Sequence, residues 1–183
     1  MQMVVATGCK TVEEYVAQKA HQTIRAPERC PKCRKIHTLS HLGYYERGCT
    51  DSGGKVHVIT IKRFVCAGSK PLHTVSCLPD FAQPYRLVNN STTQKFFDGD
   101  TISADVQRNR DTLRRYWRRF TGMAGRLRQV AGCALGRAPP KEPAAGLWQR
   151  ILAKYRTLAN ATRALVSDYR TTCFAKYLCH QPG

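Results

Sequence analysis

The sequence predicts an α+β chain in which a small β hairpin clamped by cysteines precedes an all-α region and a C-terminal pair of helices. Three observations carry the prediction. Cys30 and Cys33 stand two residues apart, and Cys66 follows across two β-prone runs separated by Asp51-Ser52-Gly53-Gly54. The run "DTLRRYWRRF", residues 111–120, places Leu113, Tyr116, Trp117 and Phe120 at i, i+3, i+4 and i+7, the spacing of one buried helix face. After the Pro- and Gly-rich stretch "GRAPPKEPAAG", residues 136–146, helical apolar periodicity resumes.

Composition narrows the function classes. The chain has 183 residues and is 42% hydrophobic, enough for one sizeable domain or two small ones and against a disordered tail. Its 30 Lys and Arg against 12 Asp and Glu give a formal charge of +18, which calls for a polyanionic partner, nucleic acid first. Nine cysteines with no secretory signal favour a metal site over disulfides. "VATGC", ending at Cys9, lacks the basic and apolar run of a lipidation box. No window approaches the roughly 20 apolar residues of a membrane span. The expectation is a soluble, cytoplasmic protein with no membrane partner.

In chain order, residues 1–27 are expected to hold a short helix, with Val12, Tyr15 and Val16 at helical spacing and Thr11 to Glu14 as a capping box. Residues 28–86 form the hairpin region. Ile36, Leu39, Leu42, Tyr44 and Tyr45 suit the outgoing strand, and the β-branched run 56–61 is the returning one. The outgoing arm is the longer, so a bulge is expected, with Gly48 the candidate. Returning through the turn at Ser52-Gly53, the chain brings Cys66 back to Cys30 and Cys33, the topology of a zinc ribbon. Three thiolates need a fourth ligand. His73 is preferred because Cys3His is an established tetrahedral zinc set; Cys77, His37, His41 and Cys49, or no metal at all, are the alternatives.

The stretches "IKRFVC" and "HTVSCLPDFAQPYR" resemble the zinc-ribbon heads of bacterial insertion-sequence transposases and of related small transposase-like proteins. The similarity runs from about residue 28 to 121. Those proteins usually carry a cysteine in the second knuckle where this chain has "AGSKPLH". What the resemblance implies is a helix-turn-helix beyond the ribbon, with "TLRRYW" at the start of its recognition helix.

Within residues 87–135, a helix ending at Asp98-Gly99, a shorter one over about 102–108 and a turn at Asn109 and Arg110 lead to the arginine-rich helix 111–120. Arg114, Arg115, Arg118 and Arg119 fall opposite its apolar stripe, and Arg108 and Arg110 precede it. These six are the candidate nucleic-acid-binding residues. Residues 104–156 hold 13 Lys or Arg against Asp105, Asp111 and Glu142, whereas a merely solvated face mixes signs.

Residues 136–146 are read as a linker and 147–183 as a helical hairpin, with Leu147, Ile151, Tyr155 and Leu158, then Leu165, Tyr169, Cys173 and Tyr177, at helical spacing. The hairpin is a candidate protein-docking element. The acidic residues after Gly122 are Glu142 and Asp168, too few for two-metal phosphoryl chemistry, and no Gly-rich phosphate loop is seen. The expected function is a non-catalytic, zinc-stabilised, transposase-like protein that binds double-stranded DNA. The alternatives are an RNA-binding or ribonucleoprotein subunit, with Tyr44, Tyr45 and Phe64 as stacking residues, and a partner-binding subunit of a larger machine.

Overall fold

The computed structural model describes residues 2–37, 39–68, 71–135 and 142–174. The chain divides between Asn89 and Asn90 into two compact units. The class is α+β: one four-stranded sheet and, among the described residues, six α-helices.

The first unit is built on strands β1 (Gln2–Val5), β2 (Ser40–Thr50), β3 (Val56–Cys66) and β4 (His73–Pro79), in the spatial order β1-β4-β3-β2. β2 and β3 form the expected antiparallel hairpin, β4 adds antiparallel to β3, and β1 adds parallel to β4. Sequence reasoning had placed neither β1 nor β4. β4 lies between two strands and is buried along most of its length, and its polar alternation is confined to the short run Thr74 to Cys77.

Asp51 makes the hairpin turn. Its Oδ1 accepts from the backbone N–H groups of Gly53 and Lys55, both at 2.8 Å, its Oδ2 lies 2.7 Å from His57 Nε2, and Gly54 takes φ +80°. The bulge lies between His41 and Gly43, not at Gly48, and Gly43 absorbs it with φ +132°. A Cβ at Gly48 would stand 2.8 Å from Leu87 Cδ1, the movable end of an exposed side chain. Leu87 belongs to a strap that covers the edge of β2, where Thr50 N–H donates to Leu87 O and the Asn89 amide donates to Thr50 O and Asp51 O. In β3, burial passes from Ile59 and Ile61 to Phe64 and Cys66, so the core side switches faces partway along the strand.

Helix α1 (Val12–Ala17) is capped by Thr11, whose hydroxyl accepts from Glu14 N–H, while Glu14 Oε2 accepts from Lys10 N–H at 2.7 Å. Tyr15 is fully buried, donates its hydroxyl hydrogen to Thr60 O at 2.8 Å and meets Phe81 edge-on at 5.5 Å. Burial raises its phenol well above the ordinary tyrosine range.

The second unit contains α2 (Asn90–Phe97), α3 (Ala104–Arg108), α4 (Arg110–Leu135), α5 (Ala144–Tyr155) and α6 (Leu158–Tyr169). α2 stops where expected, with Gly99 at φ +99° and Asp100 N–H donating to Lys95 O. Asn109 alone separates α3 from α4, its amide donating to Asp105 O. α4 runs 15 residues past the expected end at 120, since the buried stripe of Leu113, Tyr116 and Phe120 continues through Ala124 and Leu127. The Phe97 ring is the hub of the core, 4.8 Å from Trp117, 5.1 Å from Trp148, 5.6 Å from Phe120 and 5.7 Å from Phe174.

One expectation changes here. Residues 136–146 are not linker throughout, because α5 begins at Ala144; residues 136–141 lie outside the described residues. α5 and α6 pack against each other as the expected helical hairpin and also on the helices before them. α5 packs on α4 and α6 on α2, Trp148 donates to Asp98 Oδ1 at 2.8 Å, and Gln94 Oε1 accepts from Leu158 N–H. Tyr177, Cys179 and His180 lie outside the described residues.

Candidate metal centre and nucleic-acid interface

The first knuckle is a tight loop pinned by its own backbone. Cys30 N–H donates to Lys35 O at 3.1 Å, Arg34 N–H donates to Cys30 O at 2.8 Å, and Arg29 and Ile36 pair as an isolated bridge. Arg34 holds φ +60°, a conformation glycine adopts without strain. This loop aims Cys33 and His37 back at the end of β3, where Cys66 sits. Cys33 Sγ lies 3.8 Å from Cys66 Sγ, and His37 Nε2 lies 3.2 Å from each of the two sulfurs. One ligand atom each from Cys30, Cys33, His37 and Cys66 lies within 4.8 Å of all the others, a set able to hold a metal ion.

The three expected thiols therefore converge, but the histidine among the four mutually close donors is His37. His73 stands beside them, with Nε2 3.1 Å from Cys30 Sγ. The sheet register explains its place: His73 is the cross-strand partner of Cys66, whereas His37 is carried onto the thiols by the knuckle. Gly68 makes room, since a Cβ there would stand 3.0 Å from His37 Nε2. Cys77 is sealed in the core, its thiol pushed up to about 12 by burial. Cys49 is the cross-strand partner of His57, next to the hairpin turn, and the His41 ring packs on Tyr44 at 5.0 Å.

Electrostatics at the cluster are those of crowded thiols. Burial pushes Cys66 up to about 11, helped by the neighbouring thiol of Cys30. Burial also acts to raise Cys33, but hydrogen bonds from Lys35 N–H, His37 and the adjacent thiols outweigh it and bring it to about 7. Burial lowers His73, as do Lys32 and other positive charges. Several buried thiolates side by side need a cation to ionise together, and a divalent metal supplies one. Glu13, Asp51 and His57 form a second close group, but Asp51 is already committed to the hairpin turn.

In the helical unit, Arg108, Arg110, Arg114, Arg115, Arg118 and Arg119 are all exposed, and the four on 114–119 lie opposite the buried Leu113, Tyr116 and Phe120. Arg126 adds to this face, seven residues beyond Arg119; it was missed because the helix was expected to stop short of it. Arg114 meets Asp111 at 3.5 Å with both groups in solvent, a contact worth little, and Arg115 donates to Thr112 Oγ1 at 3.0 Å. Trp117 is half-buried rather than fully in the core, edge-on to Phe97.

Among the described residues, no helix is long and apolar enough to cross a membrane. No curated protein and no solved structure matches the chain. Residues 30–116, just under half of the chain, are similar to a family described as a domain of unknown function (DUF6431), a stretch that opens on Cys30 and closes within α4.

Proposed function

We propose that this chain is a non-catalytic, zinc-stabilised protein that binds double-stranded DNA through α4, in a transposase-related setting such as targeting or regulation. The observation that carries the reading is the row of exposed arginines on α4 opposite a fully apolar buried stripe. A helix held in this way offers guanidinium groups to phosphates and guanine edges while its other side is fixed by packing. The overall charge of +18 supports a polyanionic partner. α2 and α3 precede α4, but Asn109 alone parts α3 from α4 where a helix-turn-helix has a turn of about three to four residues, so the reading stands on the arginine face of α4 and not on that motif.

Zinc is the metal that suits three thiolates and one imidazole. Zinc–sulfur bonds of about 2.3 Å at tetrahedral angles place sulfurs about 3.8 Å apart. The Cys33–Cys66 separation is 3.8 Å. In this reading Cys30, Cys33, His37 and Cys66 bind the ion, and His73 contacts the Cys30 sulfur from outside.

The test is duplex binding as a function of salt, with Arg114, Arg115, Arg118 and Arg119 replaced by alanine together. The expected result is a large loss of affinity and a salt slope shallower by about one unit per phosphate contact removed. Unchanged duplex affinity and slope overturn the reading. Tighter binding to structured RNA than to duplex DNA transfers the role to the RNA alternative.

A further inference from the structure

The first unit contains a cavity of about 290 Å³ lined by β2 residues Tyr45 and Arg47, by Gln2 of β1 and by Tyr85, Arg86 and Leu87 of the strap. None of its lining residues is acidic. The strap is pinned from both sides. Gln2 Oε1 accepts from Tyr85 N–H at 3.1 Å while Gln2 Nε2 donates to the Tyr45 hydroxyl at 3.0 Å, and Arg47 Nη2 donates to Arg86 O. These bonds hold Tyr85 at φ +59°, a backbone strained for a residue with a side chain, and leave it 54% exposed. Arg47 spends Nε on Gly48 O and Nη2 on Arg86 O, yet its buried Nη1 has no acceptor. A buried charged donor without a partner is costly, and Arg47 and Tyr85 line the same cavity.

We propose that this cavity takes one unpaired nucleotide of a single strand, with its base stacked on Tyr85 and its phosphate on Arg47 and Arg86. Arg47 and Arg86 bring two guanidinium groups and no carboxylate to the lining, so a phosphate meets net positive charge there, and the exposed Tyr85 ring offers a face for stacking. The proposal shares with the preceding section the reading of the chain as a nucleic-acid binder, but it does not depend on duplex contact by α4.

The experiment is fluorescence anisotropy on the full chain with a labelled 12-residue oligothymidine and, separately, a labelled duplex. The variants are Tyr85→Ala, Tyr85→Phe and the four-arginine alanine variant of α4. The bonds from Tyr85 N–H to Gln2 and from Arg47 to Arg86 O do not use the Tyr85 ring, and metal content serves as the folding check. Tyr85→Ala is expected to weaken single-strand binding by roughly 5- to 150-fold, with Tyr85→Phe near wild type and duplex binding unchanged. The four-arginine variant is expected to lose duplex binding while single-strand binding keeps its dependence on Tyr85. A 5-iodouracil-substituted strand should photocrosslink to the peptide containing Tyr85. Single-strand affinity indifferent to Tyr85→Ala, a crosslink elsewhere, or no single-strand binding by the wild type overturns the proposal. Duplex binding that survives loss of the four arginines overturns the α4 reading alone.

Discussion

Gly68 lies under the His37 imidazole, and a methyl group there would stand 3.0 Å from Nε2. That neighbour is a ligand atom in the proposed zinc set, so Gly68→Ala must shift the ring, or the backbone beside it, by a few tenths of an ångström. The expected outcome is at least a tenfold loss of metal affinity in a chelator competition, of the size seen when a supporting residue at a metal site is removed. Asp51 gives a prediction that does not involve the metal. Burial raises its carboxyl, but hydrogen bonds from His57 and from the backbone of Lys55 and Gly53 prevail and hold it below the usual carboxylate value. A carboxyl with a depressed folded-state pKa stabilises the fold fully above its unfolded pKa, near 4, and that contribution is lost as pH falls through the lower folded value. Asp51→Asn keeps an acceptor oxygen and removes the charge. Denaturant melts should show the variant about 1.5 to 3 kcal/mol less stable at neutral pH, with the gap closing in acid.

At the scale of the element, α4 carries a buried apolar stripe on one face and exposed arginines on the other, and substitutions should separate what the two faces do. Leu113→Ala removes a fully buried side chain and should lower stability by about 2 to 5 kcal/mol without altering the salt slope of any duplex binding that the folded fraction shows. Arginine substitutions should do the reverse. The start, stripe and charge of this helix were legible in the sequence because a one-sided pattern at 3.6-residue period is a strong signal. Its length was not, because Gly122 and Gly125 interrupt the pattern while Ala124 and Leu127 quietly continue the buried face. β2 and β3 were legible through β-branched runs and a turn whose Asp51 has a mechanical task. β4 was not: the alternation of Thr74, Val75, Ser76 and Cys77 is short and falls in the stretch that reads as the second knuckle. At the cluster, the three cysteines followed from topology alone. His37 was one candidate among several, since the choice between it and His73 depends on a knuckle bend and a strand register that sequence spacing does not specify.

Considered whole, the chain has two units with different sources of stability. The helical unit has an aromatic core around Phe97, whereas the sheet unit closes one end on four side chains able to hold a metal ion. Both tryptophans, Trp117 and Trp148, belong to the helical unit, so their emission reports on it alone. Stripping the metal should therefore disturb the strand signal in circular dichroism and leave tryptophan emission near its native position.

The most direct measurement is the metal content of natively purified, fully reduced protein, made on the wild type, His37→Ala and His73→Ala, with cobalt substitution to read the ligand set. Metal binding in small domains supplies about 10 to 16 kcal/mol, so loss of a true ligand cannot pass unnoticed. The account predicts one zinc per chain in the wild type and in His73→Ala, sharply reduced zinc in His37→Ala, and a tetrahedral thiolate-rich cobalt spectrum that only His37→Ala abolishes. A wild-type protein without metal would contradict the account, and zinc retained by His37→Ala but lost by His73→Ala would contradict its ligand assignment.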